Sequence, residues 1–305
     1  MDFSLDILGC GSATPTTRHL PSCQVVSHRR RLMMIDCGEG AQLQMRRQRL
    51  QFGRLRHIFI SHIHGDHFLG LPGLLSTMAL HDTGGTVTVH GFSHGIELLR
   101  SIMAVLCRET SFDIEYDIID NAEAVILDDD SLTVRTFPLY HRVPAVGFRF
   151  DEKPKLRHID GEAVRFHGIS HAWMERLRRG EDYVSSDGKV IPNDLLTRPA
   201  DRACSYAYCS DTMYDERVAR AVEGVDTLYH EATYLSDRAD KAAPRGHSTA
   251  AEAGRIATMA GVRRLVVGHY SKSYDSDEPF VAEAATTFAG PVIAAHEGLR
   301  LNLDF

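Results

Sequence analysis

The sequence predicts an α/β protein: two β-sheets packed face to face, with helices outside. Strand-like and helix-like segments alternate along both halves of the chain. Polar residues recur at strand ends, immediately before turns, and no internal repeat at a fixed period is visible.

Taken in order, Phe3–Gly9 alternates and reads as a first strand. The glycine-rich loop 9–15 lacks both the GxGxxG spacing and the following helix of a nucleotide cradle. Segments 23–28 and 31–35 read as a hairpin ending in Asp36-Cys37-Gly38-Glu39-Gly40. A helix is expected over 41–50, carrying Arg46, Arg47 and Arg49, with Arg54 and Arg56 just beyond. This arginine group reads as a solvated face, with contact to RNA phosphates as the alternative. Further strands are expected near 55–60, 86–90, 112–118, 124–127 and 132–137, with a turn and the start of a buried helix over 68–75 and a helix over 93–106. Segment 151–202 is polar, basic around Arg176, Arg178 and Arg179, and interrupted by Gly and Pro. It reads as an inserted, flexible arm. Strands then resume at 205–209, 227–230, 264–267, 292–295 and 299–303. Thr249 and Glu252 form a capping box before a helix over 250–259, which places His247 just outside its N-terminus.

The 305 residues can bury a full core, as one large domain or two small ones. With 43% hydrophobic and 25% charged residues the composition is that of a globular protein, and no apolar run is long enough to span a membrane. The acidic start is not that of a signal peptide. The six dispersed cysteines read as free thiols of a reducing cytoplasm. A net charge of −7 argues against a protein that coats nucleic acid, without excluding a local basic patch. Seventeen histidines are the compositional oddity.

Their densest cluster is His62-Ile63-His64-Gly65-Asp66-His67, at the end of a buried strand. Residues two apart on an extended segment point the same way, so His62 and His64 can share one metal ion. Asp66 and His67 follow where the chain turns and can face a second ion. Imidazole with carboxylate suits Zn²⁺, and Mn²⁺ or Fe²⁺ are compatible. His141, Asp211 and His269 repeat the signature of a polar residue at a strand end before a turn. Together the seven residues complete a dinuclear set in which Asp211, with two oxygens, can bridge. Two such ions ~3.5–4 Å apart suit in-line displacement at a phosphate ester.

With these motifs in view, the chain resembles the metallo-β-lactamase superfamily and, within it, the RNase Z family of tRNA 3′-end processing endonucleases. The resemblance covers nearly the whole chain. It rests on the glycine-rich loop with Pro15 and Arg18, on 36–40 and 62–67, on His141 and Ser210-Asp211-Thr212, on His230-Glu231-Ala232-Thr233, and on Gly246-His247-Ser248 and Gly268-His269-Tyr270-Ser271. It implies a single catalytic domain, 1–305, folded as an αββα sandwich of two mixed β-sheets flanked by helices, with 151–202 as a protruding arm. It implies one Zn²⁺ on His62, His64 and His141, a second on Asp66, His67 and His269, and Asp211 bridging. His247 becomes the proton donor, oriented by Glu231, and Asp66 can accept a proton from the attacking water. A 3′-alkoxide leaving group is a strong base and needs such an acid. The implied activity is removal of the 3′ trailer of precursor tRNA, leaving a tRNA 3′-hydroxyl. The implied protein is a cytoplasmic homodimer whose arm, with Arg176, Arg178 and Arg179, grips the tRNA body, and Arg18 is a further RNA contact. The comparable place to the family's arm motif reads Gly168-Ile169-Ser170-His171-Ala172-Trp173, and Ser273 stands where relatives carry arginine. A small-molecule phosphodiesterase on the same scaffold and a silent RNA-binding homologue are the rival readings.

Overall fold

Alternation along the first strands sorts side chains between two layers. The structure, a computed structural model, describes residues 3–81, 84–107 and 109–304. Phe3, Leu5 and Ile7, with Val26, Ile35 and Phe59, face inward onto Phe148, Phe150, Tyr206 and Tyr208 of a second sheet. Their outward neighbours Leu8, Val25, Met34 and Ile58 pack against Met45, Leu71, Leu75 and Leu99 of covering helices. Phe59 sits at the centre, its ring 5.3 Å from Phe148 and 5.7 Å from Phe150. A fully buried aromatic of this kind contributes about 1.5–3 kcal/mol by leaving water.

Among the described residues each of the two sheets has seven strands. The first runs, edge to edge, 300–302, 3–9, 23–28, 31–35, 55–59, 86–91, 113–118, antiparallel on the first side and parallel from 31–35 onward. The second runs 292–294, 264–268, 227–231, 205–209, 145–152, 132–139, 124–128, its first four strands parallel. Helices Glu216–Ala221, Ala250–Met259 and Glu278–Ala284 make the crossovers between these parallel strands. This is the αββα sandwich of two mixed sheets that the sequence implied.

Three local features depart from the sequence expectation. Strand Ala145–Glu152 was not anticipated, because Gly147 and Arg149 break its apolar run. Gly147 is needed there: a Cβ would lie 2.2 Å from the Phe137 ring and 2.7 Å from the Tyr208 carbonyl. The first helix spans Ala41–Arg47 and stops short of Leu50, with Arg49 at φ 58°. Helices 216–221 and 278–284 were also unforeseen, being too short for a periodic signal.

Between strands 145–152 and 205–209 the chain leaves the sandwich. At the neck, Glu152 N–H donates to the Cys204 carbonyl at 3.0 Å and the Glu152 carboxylate accepts from Cys204 N–H, also at 3.0 Å. His28 of the first sheet meets the same carboxylate at 3.2 Å. The excursion is not featureless. It holds short helices, two two-stranded ribbons, and an apolar cluster of its own from Val164, Ile169, Leu177, Ile191 and Leu196.

Candidate metal centre

Parallel strands deliver their C-terminal ends to one side of a sheet, and loops there can converge on a ligand. Asp211 follows strand 205–209, Glu231 ends 227–231, and His269 follows 264–268, on three adjacent strands. His62 to His67 follow strand 55–59 of the facing sheet, and His141 follows 132–139. The seven residues singled out in the sequence meet in this cleft.

They meet as two clusters. In the first, His64 Nδ1 lies 3.0 Å from His62 Nε2 and 3.2 Å from His141 Nε2. Asp211 Oδ2 stands 3.7 Å from His62 Nε2 and 3.9 Å from His141 Nε2. In the second, Asp66 Oδ2 is 3.5 Å from both His67 Nε2 and His269 Nε2. Asp211 Oδ1 is 3.4 Å from His67 Nε2 and 3.1 Å from His269 Nε2. One carboxylate thus reaches both groups, an oxygen to each.

The opposite nitrogens show what these atoms want. His141 Nδ1 donates to the Gly246 carbonyl at 2.7 Å, and His67 Nδ1 donates to Asp36 at 2.7 Å. Ser61 Oγ gives its proton to Asp36 and so accepts from His62 Nδ1 at 3.0 Å. Thr233 Oγ1 gives its proton to Glu231 and accepts from His269 Nδ1 at 2.8 Å. With Nδ1 protonated, each of these four rings turns a bare Nε2 lone pair into the cleft. Lone pairs 3–4 Å apart repel unless a cation lies between them. His67 Nε2, His269 Nε2 and Asp211 Oδ1 are buried without a hydrogen-bond partner among the described residues, which a protein tolerates where an ion belongs. The residues therefore fit a divalent metal, bound by imidazole and carboxylate with no thiolate.

The sequence motifs contain Asp36 and Thr233, and Ser61 adjoins His62, but local spacing assigned none of the three a role. Asp36 is fully buried and accepts from Ser61, His67 and the Tyr208 hydroxyl, which reaches across from the second sheet at 2.8 Å. It holds φ 55°, and His269 holds φ 65°. Such backbone strain, of about 1–3 kcal/mol per residue, concentrates at sites that must aim a side chain. Asp36 carries the same mark that exposed Asp211, a polar residue at a strand end before a turn.

Glu231 is fully buried and accepts five hydrogen bonds: from Thr212 N–H, Thr233 N–H, the Thr233 hydroxyl, Ser248 N–H and His247 Nδ1, the last at 2.9 Å. Burial opposes charge on His247. The Glu231 carboxylate and its hydrogen bond, with Asp211 beyond, outweigh that and push the imidazole up to about 9. His247 Nε2 is left to face a cleft of about 600 Å³ that also exposes Asp66, His64, Arg142, Tyr234 and Arg245.

The glycine-rich loop closes one wall. Ala13 N–H donates to Asp66 Oδ2 at 2.7 Å, and the loop is held from below by His19, set between Glu297 at 3.1 Å and Asp277 at 3.0 Å. Burial lowers the His19 pKa, but the two carboxylates win and raise it above 6.5; Glu297, raised by burial, is lowered below 4.5 by His19 and by Leu20 N–H. His19 stabilises the fold fully below 6.5 and loses that contribution as pH rises through its folded value. Glu297 does so above 4.5 and loses it as pH falls. A His19→Gln variant should therefore be most destabilised relative to the parent between those values, with the gap in thermal midpoint narrowing toward alkaline pH. A gap independent of pH would mean the contact is not ionic.

Against known proteins, a family model described as Anti-Pycsar protein Apyc1 matches residues 3–90. Over 303 residues the chain is 46% identical to ribonuclease Z of Parabacteroides distasonis, covering 99% of each. The chain belongs to the ribonuclease Z family. In fold it is similar to human tRNase Z, short form (TM-score 0.70, 24% identity, 99% of this chain and 100% of that one). It is similar also to YhfI of Bacillus subtilis, a metallo-β-lactamase fold protein (TM-score 0.69, 19% identity, 98% of both). Family and fold imply a divalent metal, in keeping with the two donor clusters.

The arginines named as RNA contacts are differently placed in this ribonuclease Z homologue. Arg18 is engaged within the protein, with Asp277 and with the Tyr274 carbonyl at 2.9 Å. Arg176 stacks on Trp173 at 3.9 Å and pairs with Glu181; Arg179 pairs with Glu175. Arg178 has no carboxylate partner among the described residues. No helix among them is long and apolar enough to cross a membrane, and all six cysteines are free.

Proposed function

We propose that this chain is an endoribonuclease that removes the 3′ trailer of precursor tRNA by phosphodiester hydrolysis, leaving a 3′-hydroxyl on the tRNA. The observation that carries the reading is the pairing of His247 with buried Glu231 at the edge of a dinuclear donor set, in a chain of this family. A dinuclear hydrolase of acidic esters has no need of that acid; a nuclease expelling a 3′-alkoxide does.

His62, His64 and His141 would hold one Zn²⁺, Asp66, His67 and His269 the other, with Asp211 serving both. Bound there, the ions supply Lewis acidity that acidifies a water and offsets charge on the phosphoryl oxygens. The remaining work belongs to the chain. Asp66 accepts the proton lost by the attacking water. As the P–O3′ bond breaks, His247 passes its Nε2 proton to the departing oxygen, while Glu231 keeps Nδ1–H bound and the ring aimed. Arg142 and Arg245 line the cleft as cations for flanking phosphates. The protein acts as a cytoplasmic homodimer in this reading, one subunit's excursion 151–202 holding the tRNA body while the other subunit cuts.

The rival, a small-molecule phosphodiesterase, differs in needing no clamp. Incubation with a 3′-extended precursor tRNA, with both new ends mapped, should yield one cut and a tRNA 3′-hydroxyl. Replacing 153–203 by a short Gly/Ser linker leaves every donor residue in place and removes a unit with its own apolar cluster. That variant should still hydrolyse a small phosphodiester but process precursor tRNA poorly, with weaker salt dependence of binding. Unimpaired processing by the truncated protein would move the small-molecule reading ahead.

A further inference from the structure

Six non-glycine residues among those described hold a positive φ. Three of them, Ala13, Asp36 and His269, build the metal centre. The others are exposed arginines: Arg29 at φ 44°, Arg30 at 68° and Arg49 at 58°. At such angles the Cβ crowds the backbone, and glycine or asparagine sits more easily. Arg29 and Arg30 form the two-residue loop of the hairpin in which His28 pairs with Arg31. With both φ positive, that turn ordinarily takes Asn-Gly. The turn gains nothing from two arginines, so the strain points to use of their side chains.

The surroundings are mostly basic, with one acidic neighbour: Asp129, at 2.5 Å, neutralises Arg31 next to the turn. Arg54 Nε donates to the Arg30 carbonyl, tying the turn to the segment after the first helix. Two residues back, Phe52 lies under the Arg46 guanidinium at 5.4 Å. Residues 29–56 hold eight arginines against two acids, Asp36 and Glu39, in a chain of net charge −7. Asp36 is buried and Glu39 faces the metal cleft. Among the described residues no carboxylate pairs with Arg29, Arg30, Arg47, Arg49 or Arg54.

We infer that this face is a second RNA-backbone site, distinct from the metal cleft and from the excursion 151–202. The inference rests on the nucleic-acid reading above. Unpaired guanidiniums suit phosphates, whereas a second copy of the same face would set like charges against each other. The turn lies at the start of the parallel strands and the donor clusters at their ends. Strand Leu55–Phe59, five residues at ~3.3 Å each, accounts for about 17 Å of that separation, and the first donor, His62, lies beyond its end.

The test exploits the strain. Arg29→Gly, Arg30→Gly and Arg49→Gly together remove three charges where glycine fits the backbone. The triple variant should keep the parent's thermal midpoint and its hydrolysis of a small phosphodiester. It should bind precursor tRNA roughly tenfold more weakly or worse, with a salt slope shallower by about 2–3. Unchanged affinity and slope would overturn the site. An altered sedimentation coefficient with unchanged slope would overturn it too, making the face a contact between copies. Should the parent neither bind nor cut precursor tRNA, the substrate reading falls. Comparing parent and variant on a generic RNA hairpin then decides this face separately: weaker binding by the variant supports the site, and equal binding overturns it.

Discussion

Replacing Asp211 with alanine is expected to abolish hydrolysis of both RNA and small phosphodiesters and to release metal. Among the described residues Asp211 is the only donor whose two oxygens reach both clusters, Oδ1 at 3.1 Å from His269 Nε2 and Oδ2 at 3.7 Å from His62 Nε2. Removing it leaves the first cluster with three imidazoles and no carboxylate, and the second with Asp66 as its only carboxylate, so affinity for both ions falls together. The parent should contain about two ions per chain, following the two-metal template, and should lose activity to a chelator and regain it on adding Zn²⁺. Asp211→Asn, which keeps the shape but not the charge, should lie close to alanine. Active parent protein with a metal content near zero would sink the assignment of all seven donors.

The second large effect is on proton donation. His247→Ala should leave metal content intact, since neither Nε2 nor Nδ1 of His247 is needed by either proposed ion. The fold should also survive: Glu231 keeps four of its five donors, from Thr212, Thr233 (two) and Ser248. Cleavage of precursor tRNA should fall by ~10²–10⁴-fold, the usual contribution of general acid catalysis. A p-nitrophenyl phosphodiester expels an acidic phenol and needs little protonation, so the same variant should suffer far less on it. The signature is the difference between the two substrates. Equal losses would make His247 structural and leave the leaving group to be protonated by another residue.

The composition of the centre was legible in the chain because ligands obey local rules. His62 and His64 lie two apart on an extended segment, and Asp211, Glu231 and His269 each mark the end of an apolar strand. Apolar alternation in 3–9, 23–28 and 31–35 likewise announced which faces would be buried. The capping box of Thr249 and Glu252 announced the helix after His247, and both of its hydrogen bonds form. What tertiary structure alone decided is how distant segments complete one another. Asp36 orients His67 directly and His62 through Ser61, while Thr233 joins His269 to Glu231, and no spacing rule links residues so far apart. The excursion's five-residue core draws on Val164 to Leu196, with separations too irregular for a periodic pattern. Arg18, Arg176 and Arg179 show the other side of that limit. Sequence supplies their charge, but only the folded chain sets an Asp or Glu beside each and leaves Arg29, Arg30 and Arg49 without one. A side chain's type is local, whereas its neutralisation depends on which residues the fold brings within ion-pair distance.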